Sequence, residues 1–106
     1  MANFLLLYNG GNMGATEAEQ AAVMSAWMAW FGQMGSAVVD GGNPISPVAK
    51  TIASNGRVTD ASAGVMASGY SVIAADSLDA AVKLAKGCPV LAAGGQVTVY
   101  ETFNAM

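Results

Sequence analysis

The 106-residue chain contains no histidine, one cysteine and four basic residues, and only 10% of its side chains are charged. An ordinary soluble domain carries about 25%. Each shortage excludes something. Without histidine there is no histidine-based zinc site and no Cys/His dyad. The lone Cys88 excludes an internal disulfide and points to a reducing compartment, so a cytoplasmic location is expected. Lys50, Arg57, Lys83 and Lys86 are the only cations against a net charge of −3, which leaves no footprint for nucleic acid. No metal site and no cofactor is expected. Gly10-Gly11-Asn12-Met13-Gly14 hints at a phosphate cradle but matches neither GxxxxGK[ST] nor GxGxxG, so it reads as a flexible connection.

Small residues are abundant instead, with 21 alanines and 13 glycines. The remaining large apolar side chains suffice for one core and not for two, so residues 1–106 form a single domain. Gln20 to Val39 is a run of twenty uncharged residues, long enough to cross a bilayer. Its internal Gln20, Ser25, Gln33 and Ser36, its breaks at Gly32 and Gly35 and its acidic flanks argue against a membrane span. The opening Met1 to Asn9 has too short an apolar run for a signal peptide and reads as a strand.

In that strand, Phe4, Leu6 and Tyr8 share one face and Leu5 and Leu7 the other, so it is expected to be central and covered on both sides. Thr16 with Glu19 three residues on is a capping box that starts a helix. Val23, Trp27, Trp30, Phe31 and Met34 form its heavy stripe, and Gly35 ends it. Tryptophan and methionine at this spacing read as core rather than as a cofactor box, with Met24 and Met28 beside the stripe. The opposite face, Ala18, Ala21, Ala22, Ser25, Ala29 and Gly32, is small and uncharged; it suits either close approach by a neighbour or simple helix propensity.

A second strand, Ala37 to Asp40, is followed by Gly41-Gly42-Asn43-Pro44 and by a hairpin, Val48 to Ser54 and Arg57 to Asp60, around Asn55-Gly56. Tyr70 to Ala75 is the next strand. Asp76 is expected to cap a second helix whose buried stripe is Leu78, Ala81, Val82 and Ala85, with Asp79 and Lys83 paired on its surface. Gln96 to Phe103 alternates as a last strand. The order β-α-β-β-α-β, with the hairpin added in the middle, predicts an α+β, ferredoxin-like antiparallel sheet with both helices on one face. The other face is then bare and apolar, and a second copy of the chain is the economical cover.

The segments Phe4-Leu5-Leu6-Leu7-Tyr8, Trp30-Phe31-Gly32-Gln33-Met34-Gly35 and Val39-Asp40-Gly41-Gly42-Asn43-Pro44 resemble the YCII-related family. So do Gly69-Tyr70-Ser71-Val72-Ile73-Ala74-Ala75-Asp76-Ser77-Leu78-Asp79-Ala80-Ala81, Cys88-Pro89 and Gln96-Val97-Thr98-Val99-Tyr100. The resemblance implies a dimeric α/β barrel in which two sheets face each other. Some of these proteins carry a histidine on the first helix paired with an aspartate, suspected of acid-base chemistry. That pair cannot exist here. Others, the DGPF-type relatives, carry an Asp-Gly-Pro-Phe motif after the hairpin, of which only Asp60 could match, since Ala61-Ser62-Ala63 follows.

Proton transfer without histidine falls to Asp, Glu, Lys, Tyr or Cys. Asp40 is either a cleft-facing carboxylate or a turn aspartate. Lys50 is either an anion partner in a dimer cavity or the guard of an exposed edge. Tyr8, Tyr70 and Tyr100 either line a pocket with their hydroxyls or pack as interface aromatics. Nothing marks Cys88 as a reactive thiolate. The candidate ligand contacts are Tyr8, Asp40, Lys50 and Tyr70, with no catalytic residue assigned. The expected function is a homodimer, or a larger assembly, binding a small ligand in a cleft between sheet and helix. An isomerase- or lyase-type enzyme using Asp40, Lys50 or a tyrosine is one alternative, and a purely structural assembly module is the other.

Overall fold

The strand that opens the chain, β1 (Ala2–Asn9), buries every second side chain: Phe4, Leu6 and Tyr8 are enclosed, while Leu5 and Leu7 are half-buried. The computed structural model describes all residues except 12, 13, 47, 61–66 and 106. The middle of the glycine loop and the Ala61-Ser62-Ala63 stretch therefore lie outside the described residues. The elements that follow are α1 (Glu17–Met34), β2 (Val38–Asp40), β3 (Lys50–Ile52), β4 (Val58–Asp60), β5 (Ala67–Ala75), α2 (Leu78–Ala85), α3 (Pro89–Ala92) and β6 (Gln96–Glu101). They make an α+β fold with antiparallel sheets. β2, β5, β1 and β6 lie side by side in that order, and β3 and β4 form a separate two-stranded sheet.

β1 is central, as its two apolar faces require. Its pairing with β5 sets Leu7 opposite Tyr70 and Leu5 opposite Val72; its pairing with β6 sets Leu5 opposite Tyr100. Side chains directly opposite share a face. Phe4, Leu6, Tyr8, Ser71, Ile73, Ala75, Val97 and Val99 therefore face the helices, and Leu5, Leu7, Tyr70, Val72 and Tyr100 face away. The helix side is closed by Trp30 and Met34 of α1, Ala81 and Ala85 of α2, and Cys88 and Val90 around α3.

α1 begins as expected. The Thr16 hydroxyl accepts the Glu19 N–H at 3.1 Å, and the Glu19 carboxylate accepts the Ala15 N–H. Gly35 ends it with φ of 56°. The small face from Ala18 to Gly32 is exposed.

α2 departs from expectation in two ways. Its N-cap is Ser77, whose hydroxyl accepts the Ala80 N–H, and not Asp76. Its buried side is Ala81 and Ala85 with half-buried Ala80 and Leu84, whereas Leu78 and Val82 are exposed. The Trp30 indole N–H donates to the Leu84 carbonyl at 3.1 Å and ties the last turn of α2 to α1. Among the described residues Asp79 and Lys83 form no ion pair. The short α3, started by Pro89 at its first turn, was not expected; proline is well tolerated there because that N–H has no helical partner.

After β2 the chain stays against β5. The Tyr70 N–H donates to the Asn43 carbonyl, and the Ile45 N–H to the Ser68 carbonyl. Gly42 makes this approach possible. Its φ is +73°, and a Cβ there would collide with the Tyr70 carbonyl oxygen. Gly56, in the hairpin turn, also has a positive φ, +86°, but open space around it. Gly56→Ala is thus expected to cost about 1 kcal/mol, the left-handed penalty alone. Gly42→Ala adds a backbone collision and is expected to cost at least about 3 kcal/mol. Urea unfolding of both variants measures the difference, and equal losses would refute the close-approach argument.

Candidate functional site

The polar groups inside the protein gather where β1, β5 and α1 meet. Tyr8 is buried, and its hydroxyl donates to the Ser71 Oγ at 2.7 Å. Ser71, fully buried on the neighbouring strand, donates in turn to the Gly41 carbonyl at 2.7 Å. The Tyr8 ring packs edge-on against Trp27 with centroids 5.1 Å apart, and Trp27 meets Trp30 at 5.6 Å. The Cys88 thiol is buried beside the Tyr8 hydroxyl. Among the described residues no buried side-chain nitrogen or oxygen lacks a partner.

Burial raises the pKa of both groups and so holds them neutral. It holds the Tyr8 hydroxyl well above its ordinary value, more strongly than the Ser71 bond lowers it. It pushes the Cys88 thiol up to about 11, against smaller opposing bonds from the Val90 backbone and Tyr8. Tyrosine and cysteine are therefore neutral here near pH 7. This cluster is a satisfied polar island in the core, and a nucleophilic thiolate or tyrosinate is disfavoured in it.

The other sequence candidates do not join Tyr8. Tyr70 lies on the helix-free face, so the sheet itself separates the two tyrosines. Asp40 is exposed, and its Oδ1 accepts the Gly42 N–H at 2.8 Å, the turn arrangement rather than a carboxylate facing a cleft. Lys50 sits on the β3–β4 hairpin with its Nζ 2.7 Å from Asp60 Oδ1, both side chains mostly in solvent. Ser71 is the polar residue that the sequence does not single out, while Cys88 is unreactive as its sequence surroundings suggest. Ser71 was within reach, because it shares the alternation of Gly69 and Ile73 and so had to face the helices.

A concave surface among the described residues lies elsewhere. A groove of about 590 Å³ opens between the end of β5, α2 and the end of α1. Met34, Ala37, Ala75 and Leu84 line its apolar part, and Asp76 and Lys83 are its charged groups. It is within the usual size range for small-molecule sites and is mostly apolar with a few polar groups. Among the described residues no three His, Cys, Asp or Glu side chains gather as metal ligands, and no helix is long and apolar enough to cross a membrane.

No protein-family model matches the chain, and no curated protein matches it significantly.

Two predictions follow from the buried island. Ser71→Ala leaves both the Tyr8 hydroxyl and the Gly41 carbonyl unpaired and is expected to cost about 2–3 kcal/mol; Tyr8→Phe removes one bond and is expected to cost about 1 kcal/mol. In the double variant the loss is expected to be less than additive, and strict additivity in urea unfolding would dissolve the chain of bonds. Cys88 also makes the fold sensitive to base. Its stabilising contribution is complete below the unfolded value near 9 and is lost as pH climbs toward about 11. Stability is therefore expected to fall by about 2 kcal/mol across that window, and Cys88→Ala should flatten this part of the profile. Matching slopes for wild type and variant would exclude the thiol as the cause.

Proposed function

We propose that the protein is a homodimeric small-ligand-binding module of the YCII-related kind, in which two copies close their helix-free sheet faces into a dimeric α/β barrel. The observation that carries this reading is that face. Leu5, Leu7, Tyr70, Val72 and Tyr100 share it, and among the described residues no helix is laid over it. The strand order β2-β5-β1-β6 and the alternation of strands with α1 and α2 support the ferredoxin-like reading, with β3–β4 as the added hairpin. The exposed area agrees with a missing partner. The chain exposes 7265 Å², whereas a compact monomer of 10.6 kDa exposes about 5,500 Å².

The ligand is assigned to the groove between β5, α2 and the end of α1, as a small, largely apolar molecule with a polar end toward Asp76 and Lys83. An acid-base enzyme built on Asp40 or Lys50 has less support. Both residues lie in solvent with local partners and neither lines the groove. The free, buried Cys88 suits a reducing compartment such as the cytoplasm.

Sedimentation at micromolar concentration is expected to give twice the mass of the chain, and a monomer there would overturn the dimer. For the groove, a thermal-shift screen with small aliphatic and aromatic carboxylic acids is expected to raise the melting temperature by several degrees at saturating ligand. Ala80→Phe, which fills the groove, is expected to abolish the shift. A screen without a hit, or a hit unaffected by that substitution, would reduce the reading to an assembly module.

A further inference from the structure

We infer that the β3–β4 hairpin is an arm that packs on a second copy of this chain and completes the dimer interface begun by the sheet face. The inference rests on the homodimer proposed above. Every residue from Lys50 to Asp60 is exposed. The hairpin forms its own two-stranded sheet, and among the described residues no hydrogen bond joins residues 50–60 to the four-stranded one. A two-stranded hairpin standing alone is marginally stable at best in water.

Lys50, Thr51, Ser54, Asn55, Arg57, Thr59 and Asp60 suit a solvated hairpin, but the arm also exposes one apolar pair. Ile52 and Val58 are opposite each other in the pairing and share a face, 71% and 54% exposed, and Val48 just before β3 is 83% exposed. The one ion pair, Lys50 with Asp60, occupies the next pair on that same face, toward the base of the arm. It follows from the same turn-set register that places Ile52 against Val58. An anionic membrane is a poor occupant, because Lys50 is already paired and Arg57 is the only other cation on the arm.

Area favours a second copy. Three strands of six residues and the three residues of β2, at about 4.8 Å spacing and about 3.4 Å per residue, outline about 340 Å² of helix-free sheet. A stable interface takes about 800 Å² from each partner. The sheet face alone supplies less than half. The chain also exposes about 1,800 Å² more than a compact monomer of its mass, surface to which the wholly exposed arm contributes. Arm and sheet face together supply what a second copy needs.

The test compares dimer dissociation in wild type, in Ile52→Lys/Val58→Lys and in Tyr100→Lys by sedimentation over a dilution series. Hydrogen exchange at the amides of residues 50–60 is followed in parallel. All three substituted positions are exposed, so unchanged far-ultraviolet circular dichroism is expected. The arm variant is expected to dissociate at a concentration at least tenfold higher than wild type, and the wild-type arm amides to gain protection as concentration rises. A wild-type dimer whose dissociation the arm variant leaves unchanged would overturn the arm while leaving the sheet-face dimer standing. Weakening by the arm variant but not by Tyr100→Lys would keep the arm and remove the sheet face. A wild-type monomer with an unprotected arm at every concentration would overturn both.

Discussion

A β-sheet has two faces, and this chain carries helices for one of them. Everything else in the structure follows from that shortage. α1, α2 and α3 together bury Phe4, Leu6, Tyr8, Ile73 and Ala75, and among the described residues no further helix remains for the other side. Yet β1 and β5 place Leu5, Leu7, Tyr70 and Val72 there, and neither strand carries a charged residue on either face. A sheet face meant for water alternates apolar with polar side chains. On this face the middle of the two central strands is apolar, while the same registers set Asn3, Asn9, Thr98 and Gln96 at its margins. The molecule is a layer only 18 Å thick in its shortest dimension, half of a packing problem.

The distribution of charge fits the same constraint. The acidic pair Glu17 and Glu19 sits in the first turn of α1, where it favours the helix dipole. Asp76, Asp79, Lys83 and Lys86 gather in and around α2; Lys50, Arg57 and Asp60 lie on the hairpin. The helix-facing interior solves its polar needs without charge. Tyr8, Ser71 and Gly41 satisfy one another in series, and the neutral Cys88 fills the space beside them. A carboxylate or ammonium at that place would have carried a desolvation cost of several kcal/mol. Scarcity of charge is thus an ordered arrangement: none in the core, none on the central strands, and some at helix ends and on the arm.

Much of this was legible in the residues. The capping box of Thr16 and Glu19, the two apolar faces of β1 and the glycine stop at Gly35 all act locally, and local signals survive folding. The misreadings came where a single-residue difference decided the outcome. Asp76 and Ser77 are both good caps, and the structure uses the second. At Asn55-Gly56 a two-residue turn with both φ values positive would set Ser54 against Arg57 and Lys50 against Ala61. Only Gly56 has a positive φ. The Gly56 N–H donates to the Ala53 carbonyl and the Ala53 N–H to the Arg57 carbonyl, a three-residue loop that shifts the register by one. That shift brings Lys50 opposite Asp60, so the ion pair was hidden in the choice of turn. The stripe of α2 depends on how the helix is set against the sheet, which its own periodicity does not contain; the Trp30 bond to Leu84 joins its last turn to α1.

The candidate site was less legible than the fold because an ionisable residue has no periodicity to betray its surroundings. Asp40 and Lys50 drew attention as isolated charges in apolar sequence, and each proved to have a local partner that accounts for it. Tyr8 proved to be buried with its hydroxyl already engaged, and Tyr70 to lie across the sheet from it. Among the described residues the buried polar side chains are engaged with protein groups, and none is left over for a substrate. The proposed binding therefore falls to outer surfaces: the groove at the end of β5, the helix-free face and the arm. In that proposal a second copy lying on the sheet face would also hold the end of β5, and with it Ala75 and Asp76 at the wall of the groove.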